Sequence, residues 1–426
     1  MIETSPKNKQ ERALLIGLEQ NGVSKWDLRD SMEELRELAS SAGAEVVDTV
    51  TQKLQKPTAP YYIGKGKAEL IKESFKDRHV TSVIFNDELS PAQGRNLENL
   101  LARKVLDRTQ LILDIFAQRA RSREGRLQIE LAQLQYLLPR LTRMWSHLSR
   151  QTGGIGTRGP GETQLEVDRR RVQERIARLE RDLEGVRKVR HVQRQGRKRH
   201  QWPVAAVVGY TNAGKSTLLN LLTGADLVAE NKLFATLDPT TRSFTLPNKQ
   251  RVLLTDTVGF LRKLPHTLIE SFKATLEEVS EADLLIHVID LSHPRVDENI
   301  EAVNTVTKEL NAYGKETLLV FNKIDAVQSA EHIQVYLKKF PGSVAISARR
   351  GEGVDGLVTA LQDELASWRL RSRYCIPLTE SGLIAEVHRI GHVLELRYEG
   401  ESAIVVAHIP PQLEQRLSAF RSNDGD

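Results

Sequence analysis

The chain has 426 residues, 40% of them hydrophobic, a formal net charge of +5 and one cysteine, Cys375. This length exceeds what one hydrophobic core usually serves, so several domains are expected. A single cysteine excludes an internal disulfide framework and a thiolate zinc site. The sequence has no run of about 20 apolar residues and no apolar segment near Met1, which argues against a membrane span and a secretory signal. A cytoplasmic location is therefore expected.

The first hundred residues alternate short apolar runs with helical patterns. Apolar runs predict strands at 13–18, 45–50 and 82–85, and amphipathic patterns predict helices at 31–40 and 67–76. Ser90 and Pro91 have the residue types of a helix N-cap and first turn. Strand–helix alternation predicts an N-terminal α/β domain at 1–110 with a mostly parallel sheet.

A Gly-Lys-Gly-Lys segment in this N-terminal region, within 61–67, follows two tyrosines. It lacks the spacing of a phosphate-binding loop. A strand-to-helix turn or an RNA contact is therefore favoured over a second ATP site.

Two heptad stripes follow, at 127–148 and 172–186, separated by a glycine-rich break at 153–161 and then Glu-Thr-Gln at 162–164. Each stripe occupies one narrow helix face, so an antiparallel helical hairpin is predicted over 111–200 with the break at its tip. Pro139 should kink the first helix. The stretch from residue 140 to residue 199 holds 17 Lys or Arg and 7 Asp or Glu, and 194–200 reads as a basic linker.

A phosphate-binding loop lies at Gly209–Ser216, with the sequence Gly-Tyr-Thr-Asn-Ala-Gly-Lys-Ser. An apolar strand at 204–208 leads into it and a helical pattern follows, which is the context that supports the motif. Backbone N–H groups would hold phosphate oxygens at the helix N-terminus. Lys215 would reach the β and γ phosphates, and the Ser216 hydroxyl would bind Mg²⁺.

A second apolar strand ends at Asp256 and runs into Thr257-Val258-Gly259-Phe260. Asp256 is placed to hold Mg²⁺ through water, and Gly259 lets its backbone N–H approach the γ-phosphate. Many GTPases place a water-orienting glutamine after this glycine. Phe260 can neither donate nor accept a hydrogen bond, so the site is expected to need a partner to hydrolyse GTP efficiently.

A third apolar strand leads into Asn322-Lys323-Ile324-Asp325. The Asp325 carboxylate can accept two hydrogen bonds from guanine, which adenine does not offer. Lys323 can lay its stem along the base, and backbone N–H groups of Ser347-Ala348-Arg349 could meet the guanine oxygen. These motifs and spacings resemble the translation-factor-related GTPases over about residues 203–367.

A switch loop is predicted at 234–242 because a hydroxyl there must complete the Mg²⁺ shell and sense the γ-phosphate. Thr236, Thr240 and Thr241 are each candidates on residue type alone. After the nucleotide-binding domain at 203–370, strand patterns at 394–398 and 403–407 predict a small α+β C-terminal domain at 371–426. The expected fold is therefore a multidomain α/β protein.

The chain from about residue 11 to residue 367 resembles the HflX GTPases. The resemblance rests on the phosphate-binding loop, Phe234-Ala-Thr-Leu-Asp-Pro-Thr240, the glycine-rich break with Glu-Thr-Gln, Leu89-Ser-Pro-Ala-Gln93 and Asp107-Arg-Thr109. It implies that Thr236 is the switch threonine. The residues expected to contact GTP are then Gly209, Tyr210, Thr211, Asn212, Ala213, Gly214, Lys215, Ser216, Thr217, Phe234, Ala235, Thr236, Leu237, Asp238, Asp256, Thr257, Val258, Gly259, Asn322, Lys323, Ile324, Asp325, Ser347, Ala348 and Arg349.

The resemblance implies catalytic roles for Lys215, Thr236, Asp256 and Gly259, and direct Mg²⁺ binding by Ser216 and Thr236. It also implies a GTPase that binds the 50S ribosomal subunit and rRNA, splits stalled 70S ribosomes, and acts as a monomer when free. No DNA partner is expected, and any membrane association would be peripheral, through ribosomes.

In the implied complex the hairpin tip lies near the peptidyl-transferase region. Two alternatives stay open: a GTPase that checks 50S assembly, and an RNA-binding module that uses GTP only as an ordering ligand.

Overall fold

The structure is a computed structural model that describes residues 11–20, 25–75, 79–141, 164–199, 202–224, 233–234, 236–262, 276–365, 370–409 and 411–422. The chain divides into two compact units. The first comprises residues 1–186 with a short segment at 232–234, and the second contains most of the remaining chain. The predicted multidomain α/β fold class is confirmed.

The first unit contains a parallel sheet in the order β2-β1-β3-β4. Its helices pack on both sides of apolar strands, and β1 is buried along almost its whole length. The elements are β1 (Arg12–Glu19), α1 (Lys25–Ser41), β2 (Glu45–Lys53), α2 (Lys65–Glu73), β3 (Ser82–Phe85), α3 (Pro91–Leu101), β4 (Lys104–Asp107), α4 (Arg108–Arg119) and α5 (Arg123–Leu137).

The start of α3 matches the predicted cap. Ser90 accepts a hydrogen bond from the Gln93 backbone, the Gln93 side chain reaches back to Ser90, and Pro91 occupies the first turn. The Gly-Lys-Gly-Lys segment leads into α2, and Gln52 accepts a hydrogen bond from the Gly64 backbone N–H at 2.9 Å.

Helix α5 packs on α6 (Gln164–Arg199) through the predicted heptad leucines, among them Leu131, Leu179 and Leu183. The first helix ends at Leu137. The prediction that it continues past Pro139 with a kink is therefore wrong for residues 138–141, which are the last described residues before the gap. A proline cannot donate the backbone hydrogen bond that would extend the helix, and the chain turns at Pro139. Residues 142–163, with the whole predicted glycine-rich tip at 153–161, lie outside the described residues.

The second helix continues through most of the segment predicted as a basic linker, because α6 ends only at Arg199. Lysine, arginine and glutamine are good helix formers, so a strongly basic run need not interrupt a helix. His200 and the final residues 423–426 are outside the described part of the chain.

The second unit carries a six-stranded sheet in the order β10-β9-β8-β5-β7-β6. All pairs are parallel except β6 with β7. Its elements are β5 (Val204–Gly209), α7 (Lys215–Thr223), β6 (Thr240–Thr245), β7 (Arg251–Asp256), β8 (Leu284–Asp290), α8 (Val296–Glu309), β9 (Thr317–Asn322), α9 (Ala330–Lys339), β10 (Val344–Ala345) and α10 (Val354–Glu364).

A separate four-stranded antiparallel sheet in the same unit has the order β12-β13-β11-β14. Its apolar core lies between one sheet face and the helices. The elements are β11 (Leu370–Pro377), α11 (Ser381–Ile390), β12 (His392–Glu399), β13 (Ser402–Ile409), α12 (Pro411–Leu417) and β14 (Arg421–Ser422). The domain boundaries given above stay predictions.

Candidate nucleotide site

The phosphate-binding loop joins the end of β5 to the start of α7. A Cβ on Gly209 would meet the Val288 carbonyl oxygen at 2.2 Å, and one on Gly214 would meet Asn322 Nδ2 at 2.2 Å. Both glycines also have positive φ angles, +154° and +96°. Only glycine fits these positions, so the loop stays close to the neighbouring strands.

Lys215 begins α7 and is 7% exposed. Its Nζ donates hydrogen bonds to the carbonyl oxygens of Gly209 at 3.2 Å and Tyr210 at 2.8 Å. Burial lowers the pKa of Lys215 to about 8, partly opposed by the nearby Asp256 carboxylate. The loop therefore folds around a cation held at its centre.

Three oxygen atoms from distant parts of the chain meet beside this lysine. Asp256 Oδ2 accepts hydrogen bonds from Ser216 Oγ at 2.7 Å and Thr236 Oγ1 at 2.8 Å, and the two hydroxyls are 2.9 Å apart. Asp256 is fully buried, and its Oδ1 has no hydrogen-bond partner among the described residues. Burial raises the pKa of this carboxyl group.

The spacing of these oxygens suits a small divalent cation. Octahedral Mg²⁺ binds oxygen at about 2.05 Å, which places neighbouring ligand oxygens about 2.9 Å apart. In the described part of the chain, no cluster of three His, Cys, Asp or Glu side chains could hold a metal. Within the described residues, the oxygens of Ser216, Thr236 and Asp256 are therefore the candidate ligands of a metal ion.

Residues 257–262 run along the phosphate-binding loop and pair with it. Phe260 and Tyr210 form a parallel bridge, in which Thr211 N donates to Phe260 O at 2.8 Å and Phe260 N donates to Gly209 O at 3.1 Å. The Tyr210 hydroxyl accepts the Arg262 N–H at 3.0 Å. The Phe260 side chain is 1% exposed, so it lies in the protein interior.

Gly259 and Thr257 hold this segment in place. A Cβ on Gly259 would come within 2.8 Å of Thr211 Cγ2 and 3.0 Å of Lys215 Nζ. Thr257 Oγ1 donates to the Val207 carbonyl oxygen at 2.7 Å, which fastens the segment to β5. The backbone at residue 259 can therefore lie this close to Thr211 and Lys215 only because the residue is glycine.

Asn322 ends β9 and links the phosphate-binding loop to the 347–349 segment. Its Nδ2 donates to Ala213 O at 2.8 Å, and its Oδ1 accepts the Ala348 N–H at 2.9 Å. Ser347 Oγ donates to Asp325 Oδ1 at 2.7 Å, and this hydrogen bond is the main cause of the lowered pKa of Asp325. Three motifs therefore form one connected edge of the sheet.

The structure brings most of the predicted site residues to this sheet edge, from the phosphate-binding loop and from the segments at 236–238, 256–259, 322–325 and 347–349. Thr240 and Thr241 lie in β6, where Thr241 pairs with Thr255. Phe234 belongs to the first compact unit and packs edge-to-face on Phe116, with ring centroids 4.6 Å apart. Ala235 is outside the described residues.

Sequence reasoning missed two contacts of this edge. Lys323 has a positive φ of 64°, and its Nζ lies 2.7 Å from Asp290 Oδ2. Asp290 ends strand β8, which the sequence patterns did not predict. An apolar run ending in a carboxylate was the available signal, since Asp256 has the same pattern. No sequence signal marks the Tyr210–Arg262 hydrogen bond, because the acceptor is a side chain and the donor is a backbone group.

The order of the sheet, the glycine-rich loop and the gathered Lys, Ser, Thr and Asp side chains define a P-loop nucleotide-binding protein of the GTPase type. Three family descriptions match the chain: "GTP-binding GTPase N-terminal" at residues 29–117, "GTP-binding GTPase Middle Region" at 119–197 and "50S ribosome-binding GTPase" at 204–323.

Curated relatives match over almost the whole chain. GTPase HflX of Caldanaerobacter subterraneus is 47% identical over 96% of this chain and 94% of its own length. GTPase HflX of Escherichia coli is 48% identical over 85% of each chain. Among solved structures, an SsGBP–GDP complex covers 83% of this chain and 98% of its own, at 26% identity and a TM-score of 0.49.

The chain belongs to the HflX GTPase family and is a GTP hydrolase with a GTP-binding domain. The resemblance stated from the motifs is thereby confirmed. Within the described residues, no helix is both long and apolar enough to cross a membrane.

Proposed function

We propose that this GTPase binds the 50S ribosomal subunit, splits stalled 70S ribosomes in the cytoplasm, and hydrolyses GTP rapidly only when the ribosome is bound. The geometry of Phe260 carries the proposal. Its ring is buried and its backbone pairs with the phosphate-binding loop, so residue 260 offers no polar side chain to orient water. A partner must then complete the catalytic site.

The nucleotide would lie along the connected sheet edge. Backbone N–H groups of residues 209–217 would bind the phosphates, and Lys215 would exchange its two carbonyl partners for phosphate oxygens. Asp325, whose pKa is lowered by Ser347, stays ionised and suits two guanine donors. Gly259 allows its backbone N–H to approach the γ-phosphate.

Ser216, Thr236 and Asp256 would hold Mg²⁺, as their spacing and the unpartnered Asp256 Oδ1 support. The cation would neutralise charge on the β and γ phosphates. Thr236 would then sense whether GTP is bound, because its hydroxyl reaches Asp256 from a segment outside the phosphate-binding loop.

Two further features favour a ribosomal partner. The GTPase domain matches a description of the 50S ribosome-binding type. The long helix α6, which packs on α5, lies within residues 140–199, a stretch that has ten more basic than acidic side chains. Such charge suits contact with rRNA phosphates.

The test measures single-turnover and steady-state GTP hydrolysis with and without purified 50S subunits. A rise of about a hundredfold or more on adding 50S subunits is expected, because completing a GTPase site from outside has effects of about 10³–10⁵. The Lys215→Ala variant is the matched control for contaminating activity. Equal turnover without ribosomes would refute the role given to Phe260.

Splitting is tested separately on sucrose gradients. The protein with GTP, or with a non-hydrolysable analogue, should convert 70S particles into subunits. If the analogue also supports splitting, GTP hydrolysis would serve to release the protein from the 50S subunit. Intact 70S particles with strong 50S stimulation would favour the assembly-factor alternative, and no γ-phosphate release even with ribosomes would favour the ordering-ligand alternative.

A further inference from the structure

Lys323 lies between the two parts of the site that are expected to bind the base and the phosphates. Asp325, the expected reader of guanine, follows it closely along the chain. On the other side, the charge of the Lys323 ammonium group acts on Lys215 in the phosphate-binding loop. Burial is the main cause of the lowered pKa of Lys215, and the Lys323 charge lowers it further. The Lys323 side chain therefore belongs to the nucleotide side of the sheet edge.

A carboxylate from the neighbouring strand holds the far end of this side chain. Lys323 Nζ lies 2.7 Å from Asp290 Oδ2. Asp290 ends β8 at the position paired with Asn322, and the Leu291 N–H donates to the Asn322 carbonyl oxygen at 3.0 Å. Strand pairing thus fixes the two backbone segments that carry the ion pair.

The turn that follows β8 orients the Asp290 carboxylate. Asp290 Oδ1 accepts hydrogen bonds from the Ser292 backbone N–H at 3.0 Å and from Ser292 Oγ at 2.6 Å. An aspartate that accepts a hydrogen bond from the backbone two residues on forms a local turn, which restricts its side chain. One carboxylate oxygen is therefore used to orient the group, and the other binds Lys323.

A second lysine–aspartate pair of the same domain shows how the Asp290 pair differs from an ordinary surface pair. Lys339 Nζ lies 2.8 Å from Asp297 Oδ1, and these side chains are 48% and 55% exposed. The Lys323 and Asp290 side chains are only 31% and 18% exposed. Solvent screens the Asp290 pair less, so it can hold a side chain in one place more firmly than the exposed pair can.

Fixing Lys323 in advance has a consequence for nucleotide binding. A free lysine side chain samples many rotamers, and it loses this freedom when a ligand covers its stem. An ion pair already present in the folded protein removes that loss from the binding step. The backbone of Lys323 is also set in advance, because its φ of 64° is a conformation that residues other than glycine seldom adopt.

We propose that Asp290 is a positioning residue, which holds the stem of Lys323 along the base-binding part of the site before a guanine nucleotide arrives. Asp290 acts through Lys323 and does not itself touch the nucleotide. The inference deepens the proposed function and rests on its placement of the nucleotide along the sheet edge.

The test is a double-mutant cycle on the full-length protein, read as the dissociation rate of a fluorescent GDP analogue in stopped flow. Asp290→Asn removes the charge and keeps an oxygen for Ser292. It should speed dissociation by about tenfold, the effect of losing the rotamer freedom of one lysine on binding instead of on folding. In the Lys323→Met background, the same substitution should change the rate by less than about twofold, because the ammonium group is already absent.

Three further measurements separate positioning from general stabilisation. A GTP analogue should dissociate faster from Asp290→Asn by the same factor as the GDP analogue, since the lysine stem lies along the base. The melting temperature of nucleotide-free Asp290→Asn should stay within about 2 °C of the wild type. Asp297→Asn is the matched control, because it breaks the Lys339 pair of nearly equal length, and it should leave the dissociation rate unchanged.

Ser292→Ala gives a second cycle if Asp290→Asn does not fold. It removes one of the two donors that orient the carboxylate, so it should speed dissociation about two- to fivefold, and this effect should also disappear in the Lys323→Met background.

Each outcome decides the proposal. Faster dissociation from Asp290→Asn that disappears in the Lys323→Met background supports it. Asp290→Asn protein that keeps the wild-type rate while Lys323→Met loses nucleotide faster overturns it, and leaves the placement of the nucleotide intact. Additive effects of the two substitutions, or a lowered melting temperature without nucleotide, show a structural role and also overturn it. Lys323→Met protein that holds GDP like the wild type overturns the placement of the base beside Lys323, and this inference with it.

Discussion

Replacing Asn322 by alanine should loosen the nucleotide site without removing a charged side chain. Asn322 is 2% exposed and holds Ala213 O at 2.8 Å and Ala348 N at 2.9 Å. Alanine leaves both buried backbone groups without this partner, at a cost of about 1–3 kcal/mol each. Allowing for partial relaxation, the folded GTPase domain should lose about 2–4 kcal/mol.

For a domain of this size, such a loss lowers the melting temperature by about 4–16 °C. Affinity for a fluorescent GDP analogue should fall by about tenfold or more, because the loop carrying Ala348 is no longer fixed to the phosphate-binding loop. Asn304→Ala removes an exposed asparagine of α8 and should change stability by at most about 0.5 kcal/mol. An Asn322→Ala protein that melts and binds GDP like the wild type would refute the reasoning.

Three further predictions concern the same site. Burial lowers the pKa of Lys215 to about 8, and bound phosphate favours the charged lysine, so GTP binding should take up a proton as the pH rises through 8. In calorimetry, GTP affinity should be full well below pH 8 and about tenfold weaker at pH 9 than at pH 7. An affinity that does not change with pH would contradict the phosphate-binding role of Lys215. Asp325→Asn should lower GTP affinity by at least about a hundredfold and shift preference to xanthine nucleotides in competition binding, and an unchanged preference would remove Asp325 as base reader. Tyr210→Phe removes the acceptor of the Arg262 N–H, so ribosome-stimulated turnover should fall about two- to tenfold while GDP affinity stays within about twofold; a larger loss of GDP affinity would show a binding role instead.

Local sequence signals predicted the elements that depend on neighbours along the chain. The Ser90–Gln93 capping box forms because its partners are three residues apart, and β5, β7 and β9 form where apolar runs precede loops. Strand β6 was missed, since its residues Thr240–Thr245 lack apolar alternation and it pairs antiparallel at the sheet edge. Its pairing with β7 stabilises it.

Residue types and short spacings were enough to predict the glycine-rich loop with Lys215 and Ser216, the carboxylate at Asp256, the Asn-Lys-Ile-Asp segment at 322–325 proposed to bind the base, and phenylalanine in place of glutamine at 260. These are properties of residue type and short spacing. The contacts of Thr236 with Ser216 and Asp256, the bridging of two loops by Asn322 and the burial of the Phe260 ring depend on how the strands assemble. Such contacts join residues 20 to 109 positions apart, and only the order and register of the strands bring them together.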